Sequence, residues 1–434
     1  MKRLLAVGGL LAASMVVTYS TRRAVASASL APLAIAYTND TRGFLESCGC
    51  SKSVLGGLPR RAGLLRSLRK RHPNLVVVDS GNLGEGDAHL DVSLRAMSLM
   101  GYQAVGMGLA EVLGGNRCIR IAEKRKVPLV NTLVPNGKRG GYPREWYSVV
   151  TRGWRVAIVG FSPSEHYDAD ALRHRLRVLL PRLRQQHDLV VALSQLGMAR
   201  DRQIAEWQGE RDWLDFIIGG RDAAQLAEPL RVKRTTILPT SDFGREVGLL
   251  TVRRVERELR WECRRLPVDG ACQADAVVQG LVDDLRRSEA EKLEEARRQE
   301  TQGLRGLAGR LRVEWVTAAQ CGVCKKRAYG AWLKHPHSRA LRTLEEKGRV
   351  VPECLPCHSQ TFRAAGRSPE KGADDGVQCV ICHTGGVLHR MMPRTKRIKR
   401  DIGESVCRSC HDSKHDPDFD VKTRMERLRH WQER

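Results

Sequence analysis

Aromatic residues are scarce in this chain: 8 Trp, 7 Tyr and 6 Phe among 434 residues. A surface that stacks on bases needs such side chains, and no nucleic-acid recognition motif accompanies the basic residues, so nucleic acid is not an expected partner. Acidic residues are outnumbered too, 49 against 74 Lys and Arg, for a net charge of +25. The imbalance runs through the whole chain. Its densest stretch is RTKRIKR, Arg394 to Arg400. Such a surface is expected to attract acidic proteins or anionic lipid headgroups. Long apolar runs are lacking except near the start, where Met1-Lys2-Arg3 precedes an uncharged run from Leu4 to Thr21. AVASASL then offers small-residue cleavage sites after Ala26 and after Ala28. Residues 1–28 therefore read as a secretory signal, and a periplasmic or otherwise exported location is expected. Arg22 and Arg23 leave an uncleaved N-terminal anchor open, although the run is at the short end of a membrane span.

Cysteine is sparse until residue 321 and dense beyond it. Eight of the 13 cysteines fall between Cys321 and Cys410 as four C-x-x-C pairs, and eight of 13 histidines lie at or after His335. The other five cysteines are Cys48, Cys50, Cys118, Cys263 and Cys272, an odd number that leaves at least one thiol unpaired. In an oxidising compartment Cys263 and Cys272 are expected to close a local disulfide across a turn.

From about residue 33 to 270 the chain alternates short apolar runs with amphipathic stretches. PLAIAYTND (32–40), NLVVVDSGN (74–82), RVAIVGFS (155–162), DLVVALSQLG (188–197) and WLDFIIGG (213–220) have buried-strand length and end in polar or glycine turns. LPRRAGLLRSLRKR (58–71) reads as a helix with a basic face, and residues 247–266 as two antiparallel strands. This is an α/β layered domain. Residues 276–310 read as a charged helix whose solvated faces suit a spacer. Residues 311–434 have little periodicity and few apolar residues, so bound cofactors are expected to supply much of a small, mostly helical or irregular domain.

The motif order of the first part resembles the calcineurin-like metallophosphatase domain of periplasmic 5′-nucleotidases and UDP-sugar hydrolases. The first motif of that family, Asn-Asp-x-His-Gly, stands here as NDTRG, with Asp40 kept and Arg42 in place of histidine. Asp-x-Gly-Asp becomes DSGN, keeping Asp79 and ending in Asn82; Gly-Asn-His-Glu becomes GLAE from Gly108. Gln195 and Arg221 stand where later histidines would be. A two-metal centre needs carboxylates and imidazoles converging on ions about 3.5–4 Å apart. Of nine ligands implied by the resemblance only Asp40 and Asp79 remain, so the reading is a scaffold or binding module. Two alternatives stay open: Asp40 and Asp79 as plain turn residues, and Arg42 with Arg221 gripping an anion. ESCGCSK (46–52) would face the same pocket, where Cys48 and Cys50 could bind a soft metal, exchange electrons, or serve structure alone.

CLPCH (354–358), CVICH (379–383) and CRSCH (407–411) are c-type haem attachment motifs. Two thiols three residues apart reach the two vinyl groups of one porphyrin, and His358, His383 or His411 then meets the iron. Cys₄ zinc centres would also use such pairs but would not require the following histidine. The order of Trp332, HSRA from His337, CVICHTGGVLH ending at His389, and CRSCH resembles the tetrahaem cytochrome family typified by the electron acceptor of hydroxylamine oxidation. That resemblance implies His337, His389 and His430 as distal ligands, with His335 and His415 as weaker candidates. The first pair, Cys321 and Cys324, is followed by Lys325. An amine ligates iron once deprotonated, as at the catalytic haem of nitrite-reducing multihaem cytochromes. The expectation is therefore haem c at three certain motifs and a fourth at Cys321 and Cys324; the alternative is a disulfide between these two. The expected function is electron transfer with acidic or quinol-linked redox partner proteins and membrane-surface association. A haem-dependent reductase of a small nitrogen or sulfur oxyanion, or a phosphoester hydrolase, are the rival readings.

Overall fold

The computed structural model describes residues 31–47, 55–84, 86–132, 142–163, 169–209, 211–221, 226–256, 258–307 and 316–428. Cys48, Cys50, His430 and the signal segment lie outside the described residues.

Strand and helix alternate at first: β1 (Leu33–Thr38), α1 (Leu58–Arg71), β2 (Leu75–Asp79), α2 (Asp87–Leu99), β3 (Ala104–Gly106), α3 (Leu109–Lys124) and β4 (Leu129–Val130). A second series follows: β5 (Trp146–Thr151), β6 (Trp154–Phe161), α4 (Ala169–Gln186), β7 (Leu189–Ser194), α5 (Met198–Gln208), β8 (Phe216–Gly219), β9 (Leu230–Val232) and β10 (Thr235–Leu238). The long hairpin β11 (Glu246–Val255) and β12 (Glu258–Pro267) then returns to the first sheet.

The strands form two six-stranded sheets, in the orders β12-β11-β1-β2-β3-β4 and β5-β6-β7-β8-β10-β9. In the first sheet β1 to β4 run parallel and β11 and β12 add antiparallel beside β1; in the second β6, β7, β8 and β10 run parallel and both edge strands, β5 and β9, are antiparallel. Strand alternation explains the continuous apolar runs. Leu33, Ile35, Tyr37, Val76 and Val78 face the second sheet, while Ala34, Ala36, Leu75 and Val77 face the helices. Strands buried on both faces have no room for polar alternation. The result is four layers, with α1, α2 and α6 (Ala276–Leu307) over one sheet and α4 and α5 over the other.

Helix α6 does more than space two domains. Its Val278, Leu281 and Val282 are buried in the first core, and farther along Leu293 packs with Leu341, Leu344 and Leu355 of the second. The remainder is a run of short helices: α7 (Ala318–Gly322), α8 (Lys326–Lys334), α9 (Ala340–Glu346), α10 (Leu355–His358), α11 (Gln360–Ala365), α12 (Cys379–Cys382), α13 (Gly386–Met391), α14 (Glu404–Arg408) and α15 (Val421–Arg427). In place of a large apolar core this part borders a cavity of about 640 Å³.

The expected Cys263–Cys272 disulfide is not formed; both are free cysteines. Cys263 lies on β12 with its sulfur 3.1 Å from the Tyr37 hydroxyl, between the two sheets. Cys272 sits in the turn beyond, near the Pro267 carbonyl.

Candidate functional site

Asp40 follows β1 and Asp79 ends β2, so both carboxylates stand at the carboxyl ends of parallel strands. Gln195, after β7, and Arg221, after β8, arrive from the second sheet at the same edge. Such edges are where ligands meet α/β sheets. Four rim residues hold left-handed backbone: Asp40 (φ 44°), Arg42 (47°), Asn82 (64°) and Arg221 (54°). Each such non-glycine conformation costs on the order of 1–3 kcal/mol and persists where surroundings over-determine it.

The carboxylate of Asp40 is saturated by protein donors. Its Oδ1 accepts from Asn82 Nδ2 at 2.6 Å and Arg42 Nε at 3.3 Å, and its Oδ2 from Asn39 Nδ2 and the Arg221 amide, both at 2.7 Å. Asp79 accepts from the Thr38 hydroxyl and from the Gly81 amide. Burial pushes its carboxyl up to about 6, the charge of Asp40 adds to this, and the attraction of Arg61 opposes it. Arg61 itself is fully buried on α1 and donates to Thr41 Oγ1 at 3.0 Å. Glu111, also buried, accepts from the amides of Asn82, Leu83 and Gly108 and so ties the loop after β2 to the start of α3.

These side chains do not fit two divalent cations. Asn82, Gln195 and Arg221 stand where acid or imidazole donors would be needed, and Asp40 has no lone pair to spare. Among the described residues no cluster of three or more His, Cys, Asp and Glu could hold a metal. Nor does Arg42 reach outward for an anion. It lies between Asp40 and Asp242 (3.6 Å) and over the Phe243 ring, while Arg221 contributes its backbone amide.

The second candidate site lies in the C-terminal part. A single helical turn puts positions i and i+3 on one side; α12 carries both Cys379 and Cys382 in such a turn, and α10 carries Cys357 with Cys354 capping its start. Each motif histidine has Nδ1 against an oxygen: His358 on the Ala340 carbonyl (2.8 Å), His383 on Lys399 (2.9 Å), His411 on the Asp416 carboxylate (2.9 Å). His389 does the same with the Lys396 carbonyl at 2.6 Å. A carbonyl cannot donate, so Nδ1 is the donor and Nε2 is the ring nitrogen turned away from that contact, the orientation used by metal-ligating histidines. His337 lies with His335 (ring centroids 4.6 Å apart) and His411 (6.2 Å). Burial first, and neighbouring histidines second, push it down to about 4, so it stays neutral. His415 is held by Asp412.

The motifs meet in pairs. The Cys321 thiol lies beside that of Cys379, and Cys357 beside Cys410. The 640 Å³ cavity is lined by both cysteines and the histidine of the 354–358 and 407–411 motifs, together with Cys382, His335, His337 and His415. These residues fit haem c: paired thiols, imidazoles anchored through Nδ1, and a chamber between them. Lys325 is exposed and opens α8, its amide bonded to the Cys321 carbonyl at 3.0 Å.

Four residues, Glu46, Arg245, Arg286 and Arg349, join the two parts. Glu46, after β1, is ion-paired to Arg286 of α6 and to Arg349 (3.0 Å), and Arg349 also donates to the Ser47 carbonyl. Arg245, stacked on Phe243, donates to the carbonyls of Ser413 and Lys414 beside His411. Contacts across long sequence separation mark them; of the four only Glu46 stands in a stretch singled out from sequence, ESCGCSK, and there the cysteines carried the reading.

Residues 320–384 match the family described as cytochrome c554 and c-prime, which brings haem c binding to this segment. The first part matches an apyrase of Tabanus yao, 25% identical over 51% of this chain and 48% of that protein. It also matches a 5′-nucleotidase of Diplobatis ommata, 25% identical over 43% and 37%. The chain thus spans about half the length, or less, of these relatives. Among solved structures it is similar to a 5′-nucleotidase precursor of Thermus thermophilus (TM-score 0.52, 20% identity, 61% of this chain and 60% of that one). It is also similar to the sulfate thiohydrolase SoxB of Thermus thermophilus (TM-score 0.51, 17% identity, 60% and 61%). The first domain therefore has the calcineurin-like, 5′-nucleotidase-type metallophosphatase fold, and a cytochrome c segment follows it.

Proposed function

We propose that this protein is an exported multihaem c-type cytochrome that passes electrons between periplasmic or membrane partners, with its nucleotidase-like domain retained as a non-hydrolytic structural partner. The observation that carries the reading is the oxygen-anchored Nδ1 of all three motif histidines. Haem, when bound, supplies one-electron chemistry at a potential set by axial ligands, burial and nearby charge. The chain's own part is to hold it. Four thiol pairs, Cys321/Cys324, Cys354/Cys357, Cys379/Cys382 and Cys407/Cys410, form the thioethers. His358, His383 and His411 present Nε2 to the iron, and Lys325 takes that place in the first motif. His337, His389 and His430 are the distal ligands, with His335 and His415 in reserve. A domain whose Asp40 is filled by Asn82, Arg42 and the Arg221 amide holds no hydrolytic metal pair.

Intact mass after expression with a haem-maturation system tests this directly. Four covalent haems are expected; three with a Cys321–Cys324 disulfide would overturn the fourth site, and none would overturn the reading. In His389→Ala the haem count should hold while one low-spin haem becomes high-spin. Added Mn²⁺, Zn²⁺ or Co²⁺ should give no turnover of nucleotides or UDP-sugars; metal-dependent hydrolysis lost in Asp79→Ala would restore the hydrolase reading. A wild-type high-spin haem that binds nitrite would favour the reductase instead.

A further inference from the structure

The cavity that carries the 354–358 and 407–411 motifs is not closed by the cytochrome segment alone. Phe44, Leu45 and Glu46 of the loop after β1 line it, as do Leu285 and Arg286 of α6. Phe44 packs edge-on against Phe243, 6.1 Å between centroids, and the Phe243 amide donates to the Asp40 carbonyl. The same loop is therefore a wall of the first domain's pocket and a wall of the second domain's chamber.

The polar part of this wall is rich in cations. Glu46 meets two guanidinium groups, Arg286 and Arg349, and all three side chains are between 18 and 22% exposed. Glu46 pairs with both guanidinium groups in a place with limited water to screen them, while Glu289, Glu353 and Asp416 line the chamber elsewhere. Lys347 lines the same chamber and adds another cation. A chamber with an apolar lining and a cationic corner matches haem, which has an apolar ring and two propionate carboxylates. Arg349 lies five residues before Cys354, and Cys354 packs beside Leu293 of α6.

We infer that the nucleotidase-like domain is part of a haem site: Phe44, Leu45 and Leu285 wall the haem carried by Cys354 and Cys357, and the Glu46–Arg286–Arg349 cluster receives its propionates. The inference rests on the haem reading above and adds to it a function for the first domain. Burying a haem edge behind that wall and placing cations beside its propionates both raise its potential, because each disfavours the extra positive charge of the ferric state.

The experiment uses full-length protein and resolves the individual haem potentials by spectroelectrochemical titration. The haem in question is identified as the one missing in a Cys354→Ala/Cys357→Ala variant. Arg286→Met should keep four haems by mass and lower the potential of that haem; Arg286→Lys, which keeps the charge, should restore most of it. Glu46→Gln removes an anion and should shift the same haem upward, which covers the case in which Arg286→Met does not fold. Arg95→Met, an exposed arginine on α2, is the distant control. Haem counts intact with no shift in Arg286→Met or Glu46→Gln, or a shift equal to that of the control, overturns the inference while leaving the cytochrome reading standing. Absence of haem from Cys354 and Cys357 by mass defeats the cytochrome reading itself.

Discussion

Asp79 and Arg61 show how much a pocket's chemistry depends on charges beneath it. The carboxyl of Asp79 is raised to about 6, against an ordinary value of 3.8. Its folded pKa lies above its unfolded one, so its contribution to stability is complete below about pH 3.8 and is lost as pH rises through about 6. Arg61 works against that loss, since its buried charge favours the ionised carboxylate. Replacing Arg61 with methionine should destabilise the protein by about 3–5 kcal/mol, the usual result of stripping one partner from a buried pair. It should also push the Asp79 carboxyl higher. Urea unfolding at several pH values checks this: the gap between wild type and Arg61→Met should widen from pH 6 to pH 8. A gap independent of pH would show that Arg61 acts by packing alone. Asp79 was legible in the sequence from its place in DSGN. Arg61 was not, because LPRRAG on a helix with a basic face carries no sign that this arginine, of the two, turns inward.

At the scale of elements, the strands were the legible part. Runs such as LAIAYT and LVVVD are buried on both faces, and β11 with β12 is the hairpin that residues 247–266 suggested. The turn after β2 depends on glycine: Gly81 has φ 102°, and a Cβ there would lie 2.6 Å from the Gly108 amide nitrogen. Helix α6 was legible as a helix but not as a shared beam. Its charge density suggests solvated faces, yet Leu281 is 7% exposed in the first core. Leu281→Ala should therefore cost about 2–5 kcal/mol, as other buried leucines do. Chemical denaturation monitored by the far-ultraviolet signal measures it. A loss below about 0.5 kcal/mol, typical of surface positions, would mean that this end of α6 is a tether after all.

Over the whole molecule the net charge of +25 sets how partners arrive. Electrostatic steering weakens as the Debye length falls from about 30 Å at 0.01 M salt to about 8 Å at 0.15 M. Reduction of this protein by an acidic electron donor should slow by about tenfold or more across that range, read by stopped-flow absorbance. A rate that does not change with salt would indicate that docking is apolar. The long-range ties between the two parts, Arg245 to the Ser413 and Lys414 carbonyls and Arg349 to Glu46, hold the cytochrome segment against the nucleotidase-like domain.

The sequence by itself determined what is local. Strand burial follows from composition over five to eight residues, and the proposed haem attachment is written in five consecutive positions, because a thioether pair and the following histidine must lie within reach of one porphyrin. Arg42, Asn82, Gln195 and Arg221 could also be read by position, since each is a single residue in a short motif. Only the tertiary structure decided what depends on distant segments. It set Cys321 against Cys379 and Cys357 against Cys410, fed Arg42 to Asp40 and Asp242, and left Cys263 apart from Cys272. It also placed Glu46 between arginines 240 and 303 residues farther along the chain. An ion pair at such separation leaves no periodicity or spacing to read, because the packing of the sheets and of α6 brings its members together.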